Sequence, residues 1–354
     1  MPELFDVKPV DQRFYQERLA DFLPDRIVDV HAHVWLTRFR ADSAEAYRRA
    51  VTWPSRVARD NPIEDLAETY RLMLPGKRVS ALIFSNLMSH EDDFEAGNAY
   101  VSRSAADYGM AGLIWSSPRW SAEELEAKIG ARGFLGAKSY LSLADPAIGV
   151  DDISIFDFYP RHQLEALDRR GAILMLHIPR NQRLRDSRNL AELLEIERRY
   201  PRLQVIVAHV GRAYCPEDIG DAFDVLAETR HMTFDISANT SAQNFEKLIR
   251  AVGPKRILFG TDLPITRMRM RRICENGTYV NLVPKGLYGD VSGDRNMREV
   301  EGEEAERLTF FLYEEIDAFR SAAEATGLSS HDIEDVFCGN AMRMIAQAKE
   351  RIGS

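Results

Sequence analysis

Short apolar runs recur along the chain, and stretches with helical spacing of apolar residues separate them. Eight runs are predicted as strands, at residues 27–35, 79–84, 110–115, 133–141, 172–177, 203–209, 232–236 and 256–262. Strands that alternate with helices indicate a parallel sheet with crossover connections. Eight of them predict an α/β fold, a closed (β/α)8 TIM barrel. An open doubly wound sheet is the alternative, but no glycine fingerprint follows the first strand.

Capping residues place the predicted helix ends. Asn61 is expected to cap a helix with Pro62 in its first turn and Glu64 closing a capping box. A last long helix, residues 303–326, is expected to end at Gly327. Further N-caps are predicted at Ser121, Ser329 and Asn340, the last two beginning short closing helices.

The predicted organisation is one domain, residues 1–354. Residues 1–26 form an N-terminal extension, and the insertion after strand 1, residues 36–60, is expected to be a loop with helical pieces. After strand 8, residues 263–302 carry no clear element and are expected to be a long loop over the site. Helices fill the C-terminal part, residues 303–354.

Composition restricts the class of protein. Hydrophobic content of 45% and charged content of 29% suit an ordinary globular fold, and the net charge of −9 argues against a nucleic-acid partner. Neither a signal peptide nor a membrane span is expected. The 3 cysteines are scattered without a C-x-x-C, so a disulfide framework or thiolate zinc site is not expected. A reducing cytoplasm is the expected location.

Ligand-type residues follow several predicted strands. His31 and His33 alternate on the first strand and so share one face, and His177, His209 and Asp262 end the fifth, sixth and eighth strands. Because the carboxyl ends of barrel strands meet at one face, this pattern favours a metal site. The alternatives are hydrogen-bonded core histidines, and an Asp262 that caps the following turn.

The motifs resemble the amidohydrolase superfamily of metal-dependent barrels. They are His31-Ala32-His33, Gly136-Ala137-Lys138, Leu176-His177, Ala208-His209-Val210-Gly211 and Gly260-Thr261-Asp262. Gly-Thr-Asp-Leu-Pro and Gly339-Asn340-Ala341 look most like its "amidohydrolase 2" branch, which includes aminocarboxymuconate-semialdehyde decarboxylase, γ-resorcylate decarboxylase and sugar lactonases. The resemblance covers residues from about 27 to 345.

The resemblance implies one divalent metal ion, zinc first and manganese second, held by His31, His33, His177 and Asp262. Imidazoles and a carboxylate suit such a cation, which would lower the pKa of a bound water to about 7. His209 would be the catalytic acid/base, with Asp262 as the alternative.

Lys138 leaves two interpretations open. In superfamily members with two metals, a carboxylated lysine bridges the ions, and the fifth- and sixth-strand histidines bind the second one. Carboxylation requires a buried, neutral lysine. The branch resemblance favours one metal, with Lys138 as a cation for a substrate carboxylate or carbonyl.

Further substrate contacts are predicted from position. Arg180 and Arg212 each follow a strand-end histidine by three residues, and Trp35 could line the pocket together with Trp115. Guanidinium groups suit capture of a carboxylate. Four more arginines, Arg267, Arg269, Arg271 and Arg272, crowd the loop after strand 8. For most of these arginines, pairing with the acidic run 299–306 is the alternative.

Together these features predict a metal-dependent hydrolase of a small organic acid, lactone or amide. Non-oxidative decarboxylation of a small aromatic or unsaturated acid is the second choice, and an inactive barrel serving as a binding protein is the third. The expected partner is a small, anionic substrate, without nucleic acid or membrane, and a homodimer is allowed for.

Overall fold

The computed structural model describes residues 4–41, 49 and 53–353. Parallel strands form the barrel wall, at Arg26–His33 (β1), Arg78–Phe84 (β2), Ala111–Gly112 (β3), Ile114–Trp115 (β4), Gly136–Lys138 (β5), Ile173–Leu176 (β6), Gln204–Val207 (β7), Thr233–Asp235 (β8) and Ile257–Leu258 (β9). The short runs β3 and β4 together occupy the third of eight positions. The predicted α/β barrel is confirmed, although most strands are shorter than their apolar runs.

Backbone contacts join the last strand to the first. Val30 N donates to the carbonyl of Phe259 at 3.0 Å, and Asp262 N donates to the carbonyl of His31 at 2.7 Å. A parallel bridge pairs Ala32 with Leu263. The end of β9 therefore lies directly beside the histidines of β1.

Helices surround the wall and fill the C-terminal part. They span Trp53–Val57, Ile63–Met73, Phe94–Asp107, Ala122–Arg132, Arg161–Arg169, Ser187–Arg199, Ala222–Leu226, Ala242–Val252, Gly302–Glu306, Phe311–Thr326, Ser330–Glu334 and Asn340–Gly353. The predicted loop after β1 contains helical pieces at Thr37–Phe39 and Trp53–Val57, while its residues 42–48 and 50–52 lie outside the described residues.

Two predicted caps are wrong, and the same physical reason explains both. Pro62 is the N-cap residue of Ile63–Met73, and the Asn61 amide instead donates to the carbonyl of His33 at 2.6 Å. Asn340 continues a helical run, and its amide donates to the carbonyls of Pro254 and Ile257. In each case donation to buried carbonyls elsewhere in the fold orients the carboxamide, and its Oδ1 does not accept from a first-turn N–H as a cap would.

Other caps are confirmed. The hydroxyls of Ser121 and Ser329 accept from backbone N–H groups in the first turns of their helices, and Gly327 ends Phe311–Thr326 in the left-handed conformation. The predicted helix 303–326 is however two helices, because residues 307–310 interrupt it.

The segment after β9 is not the irregular loop that we predict from the sequence. It forms a three-stranded ribbon of Arg271–Glu275 (β10), Thr278–Pro284 (β11) and Met297–Val300 (β12). Asn276 and Gly277 make the β10–β11 turn with φ of 51° and 72°. An Asn-Gly pair between stretches of alternating residues is a strong signal for a hairpin. This local signal predicts the observed turn better than the length of the segment, which suggests a loop.

The N-terminal extension is an integral part of the fold. A helix at Pro9–Phe14 continues as a π-helical turn, Tyr15–Leu19, against Phe311–Thr326. Arg269, just before the ribbon, donates to both carboxylate oxygens of Asp11 at 2.8 and 2.6 Å, and both side chains are buried. This ion pair ties the start of the chain to the ribbon.

Cys215 and Cys274 form a disulfide, contrary to the expectation from their spacing. Hairpin strand β10 brings Cys274 back over the segment after β7, a proximity that separation along the chain does not reveal. Cys338 is a free, buried thiol. Among the described residues, no helix has the length and apolar character needed to cross a bilayer.

The buried ion pair allows a test of the fold. Asp11→Ala leaves the Arg269 guanidinium without a counter-charge, so we expect the free energy of unfolding to fall by about 3–5 kcal/mol. Urea denaturation measures it. The control is Glu246→Ala, whose exposed helical pair with Arg250 contributes about 0.5 kcal/mol at most. Equal losses in the two variants would contradict this account of the N-terminal segment.

Candidate metal centre

The cluster lies at the carboxyl ends of the barrel strands. His31 and His33 project from β1 with ring centres 5.5 Å apart, as strand alternation requires. Asp262 follows β9, with its backbone held in the left-handed region at φ 57°. Gly260 permits the close approach, because a Cβ there would lie 2.8 Å from that of His31.

Three of the predicted ligands converge. Asp262 Oδ1 lies 3.5 Å from His31 Nε2 and 3.3 Å from His33 Nε2. Two ligand atoms that are each about 2.1 Å from one ion, at a tetrahedral angle, lie about 3.4 Å apart. The spacing of these three side chains therefore fits a single shared divalent cation.

The other two histidines lie beside this group. His209 Nε2 is 4.0 Å from Asp262 Oδ2, and its ring centre is 4.8 Å from that of His31. The ring of His177 lies 5.3 Å from that of His209 and outside the converging group. His177 thus shares the cavity, while its role as fourth ligand stays a prediction.

A buried carboxylate that the sequence analysis did not single out orients the cluster. Asp235, at the end of β8, accepts from His31 Nδ1 at 2.9 Å and from the His209 backbone N–H at 2.8 Å. It also accepts from the hydroxyl of Ser237 at 2.6 Å. These bonds engage both oxygens, so Asp235 positions His31 and His209. Ligand-type atoms of Asp235, His31 and His209 also lie within 4.8 Å of one another, a second grouping able to hold an ion.

The remaining ring nitrogens have backbone partners. His33 Nδ1 contacts the carbonyl of Ser85 at 2.8 Å, and His177 Nδ1 contacts that of Ile178 at 3.1 Å. His209 Nδ1 contacts the carbonyl of Ser237 at 3.0 Å. A carbonyl partner fixes the proton on Nδ1 and leaves Nε2 with a free lone pair, which is the form that binds a metal or accepts a proton.

Burial sets the charge state of the cluster. Desolvation lowers the pKa of His31, lowers that of His177 well below its usual value and lowers that of His209 to about 4. Burial would raise the pKa of Asp262, but its contacts with the nearby histidines hold it below its usual range. Neutral imidazoles and an ionised carboxylate are thus present at pH 7, as metal binding requires.

Lys138 is a buried cation in the same cavity. Its side chain is fully buried on β5, and desolvation lowers its pKa to about 8. Its Nζ lies 5.4 Å from the ring centre of Phe84. At pH 7 most of the lysine remains protonated, although the neutral form that carboxylation needs is accessible.

The cavity above the cluster has a largely aromatic wall. Trp35 and Trp115 line it, as the sequence suggests. Further lining residues come from distant segments, namely Trp53, Tyr140, Tyr214, Arg272, Tyr279 and Phe311. Of these, Arg272 belongs to the arginine cluster that the sequence analysis singled out. The others carry no local signal for a pocket, because the ribbon and the loops come together only in the folded chain.

The two arginines predicted to bind substrate, Arg180 and Arg212, donate hydrogen bonds to nearby loop groups. Arg180 Nε donates to both oxygens of Asp186 at 2.9 Å, and Arg212 Nη1 donates to three carbonyls at residues 178–180. Within the described part of the chain, neither lines the cavity. These bonds hold loops, while the charge of Arg212 acts on His177 and Tyr140 of the cavity. The substrate role of the two arginines stays a prediction.

A closed barrel whose strand ends present this set of imidazoles and carboxylates defines the class of metal-dependent barrel enzymes. The chain belongs to the Amidohydro_2 family, described as amidohydrolase, whose sequence model matches residues 28–346. The family resemblance predicted from the motifs is thereby confirmed.

Solved structures share the fold at low sequence identity. A zinc-bound amidohydrolase from Burkholderia multivorans is 15% identical, with TM-score 0.56, covering 90% of this chain and 99% of that one. The 5-carboxyvanillate decarboxylase of Sphingomonas paucimobilis is 14% identical, with TM-score 0.54 and coverage of 91% and 99%. A dihydroxybenzoic acid decarboxylase from a Polaromonas species, with bound manganese, is 16% identical, with TM-score 0.50 and coverage of 92% and 97%. No curated protein matches significantly.

The role of Asp235 can be tested directly. Asp235→Asn weakens the hold on the His31 ring, so we expect affinity for zinc to fall by about 10- to 100-fold. Competition with a chromogenic chelator measures the affinity. Asp224→Asn, an exposed acid on the neighbouring helix, is the control and should leave it unchanged. Unchanged zinc affinity in Asp235→Asn would contradict the positioning role.

Proposed function

We propose that this protein is a metal-dependent hydrolase of a small organic acid, lactone or amide. Its ligands would be His31, His33, His177 and Asp262, with one zinc ion as first choice and manganese as second. The observation that carries the proposal is the 3.3–3.5 Å convergence of His31, His33 and Asp262, with a histidine that is free at Nε2 beside them. The bound zinc and manganese of two similar structures support the choice of metals.

When bound, a divalent ion supplies Lewis acidity that polarises a carbonyl and makes water a nucleophile near neutral pH. The chain's own residues would manage the proton. His209 accepts it at Nε2, because Nδ1 faces the carbonyl of Ser237. Asp262, as the neighbouring carboxylate, is the alternative acceptor.

Lys138 would stabilise negative charge on the substrate. Its ammonium group is held in a buried site, where a charge acts more strongly than in water. A carboxyl or carbonyl oxygen beside Nζ would therefore be bound and polarised. The two-metal alternative, with a carboxylated Lys138, predicts two ions per chain and is separated from this proposal by metal counting.

Decarboxylation of a small aromatic or unsaturated acid is the second candidate. The aromatic cavity wall with Lys138 and Arg272 suits a flat anion, and two of the similar structures are decarboxylases of such acids. In that reaction His209 would first take a proton at Nε2 from a substrate hydroxyl or from water, and would then deliver it to the carbon that loses carbon dioxide.

A substrate screen distinguishes the two reactions. Lactones and amides on one side, and hydroxylated benzoic acids on the other, are offered to the metal-loaded protein, with acid release and carbon dioxide release as readouts. Turnover of only the aromatic acids would replace hydrolysis by decarboxylation. If both panels remain unchanged, the third possibility, a barrel used for binding, gains support.

Metal content tests the proposed ligand set. The purified chain should carry close to one divalent ion by elemental analysis, and His31→Ala or His33→Ala should remove it. His162→Ala, an exposed histidine away from the cluster, serves as control and should retain it. A chain that takes up neither zinc nor manganese would overturn the proposal, and two ions would favour the carboxylated Lys138.

Removal of the His209 side chain tests its role as the acid/base. His209→Ala should keep the metal and lower kcat by about 10²- to 10⁴-fold, because the proton acceptor is lost. Elemental analysis and steady-state kinetics give the two readouts. Loss of metal together with activity would make His209 a ligand. Full activity would make it a core histidine, and Asp262 would then be the acid/base.

Location and partners remain predictions. The cytoplasmic location rested in part on unpaired cysteines, and the Cys215–Cys274 bridge removes that part of the argument. We expect a small anionic substrate and no nucleic-acid or membrane partner. A homodimer also remains a prediction from the sequence.

A further inference from the structure

The four arginines between residues 267 and 272 have different surroundings. Arg269 is paired with the buried Asp11, Arg267 donates to the Val57 carbonyl and to Thr69, and Arg271 is exposed. In the described part of the chain, Arg272 is the arginine that lines the cavity of the metal cluster. The basic cluster thus contributes one cation to the site.

Aromatic rings hold the Arg272 guanidinium in place. Its central carbon lies 4.7 Å from the ring centre of Tyr214 and 4.6 Å from those of Tyr279 and Phe311. Cation–π contacts of this kind fix the guanidinium in the wall without neutralising its charge. Tyr214 and Tyr279 also contact each other, with ring centres 5.0 Å apart.

Hydrogen bonds fix the orientation of the Arg272 guanidinium group. Nε donates to Asn281 Oδ1 at 2.8 Å, and Nη1 donates to the carbonyl of Ala238 at 2.7 Å. A guanidinium has five N–H donors, so three remain, including both on Nη2. A planar fork with donors to spare is the geometry that binds a carboxylate through two parallel hydrogen bonds.

Arg272 also lacks a counter-ion. Among the described residues, no carboxylate lies within 4.0 Å of its guanidinium, in contrast to the buried Arg269 and to Arg183, which pairs with Asp218 at 2.6 Å. The carboxyl group of Glu315 acts on the Arg272 charge without forming a direct ion pair. A buried charge without a direct partner is unfavourable, and an anion in the cavity that Arg272 lines would relieve it.

We propose that Arg272 binds a carboxylate of the substrate, at a position remote from the bond that reacts at the metal cluster. Resting on the proposed function, this identifies the substrate class as organic acids with a flat body. The carboxylate lies on Arg272, and the body lies along the aromatic wall of the cavity. Arg272 would determine specificity, and its removal would selectively weaken the binding of acids.

Ligand binding tests this proposal without requiring turnover. Benzoate and benzamide, which have the same shape and differ in charge, are titrated by calorimetry into the metal-containing wild type, Arg272→Gln and Arg271→Gln. We expect Arg272→Gln to weaken the affinity for benzoate by roughly 10- to 100-fold, the effect of a charge-assisted pair of hydrogen bonds. The affinity for benzamide should change less than about twofold. Arg271→Gln removes the same charge from the adjacent, exposed position and should change neither.

The outcomes separate this inference from the proposed function. Equal benzoate affinity in wild type and Arg272→Gln, or an equal loss for benzoate and benzamide, overturns it even if the enzyme turns over lactones or acids. Selective loss of benzoate supports it even if no substrate is found. Should Arg272→Gln not fold, Arg272→Lys takes its place, since it keeps the charge but loses the fork and should weaken benzoate severalfold.

Discussion

Asp29 holds together the two chain segments from which the metal cluster is built. Its Oδ1 accepts from the backbone N–H groups of His31 and Thr261, and its Oδ2 accepts from the hydroxyls of Thr261 and Tyr70. The first strand and the segment after the last strand are thus joined through one fully buried carboxylate. The adjacent hydrogen bond from Asp262 N to the His31 carbonyl joins the same two segments. The cluster forms where the barrel closes.

Much of this arrangement could be predicted from the sequence, because it depends on local rules. Alternation along a strand places His31 and His33 on one face, and barrel topology brings Asp262 and His209 to the same end. Asp235 could have been found by the same rule, since it is a charged residue that ends an apolar strand. Its hydrogen bonds to His31 and Ser237, however, are visible only once the strands are adjacent.

The wall of the cavity was much harder to predict. Proximity along the chain to a strand-end histidine suggested Arg180 and Arg212, yet each of them donates to a nearby loop group. Arg272 lies on a ribbon whose hairpin turn was readable as Asn-Gly, but the position of that hairpin over the barrel depends on tertiary contacts such as Arg269 with Asp11. The barrel supplies the cluster of histidines and Asp262, and the inserted ribbon supplies Arg272 and Tyr279 to the cavity wall.

The disulfide gives this division a chemical consequence. Cys215 follows Tyr214 directly, and Cys274 stands two residues after Arg272, so the bridge links the two sides of the aromatic wall. Cleavage by a cellular dithiol would open a loop of 59 residues and leave the hairpin held by noncovalent contacts alone. That loop contains β8, β9 and the carboxylates Asp235 and Asp262, whose hydrogen bonds to His31 do not involve the bridge. Under the proposed role of Arg272, the thiol–disulfide balance of the compartment would therefore bear on which molecules the pocket retains.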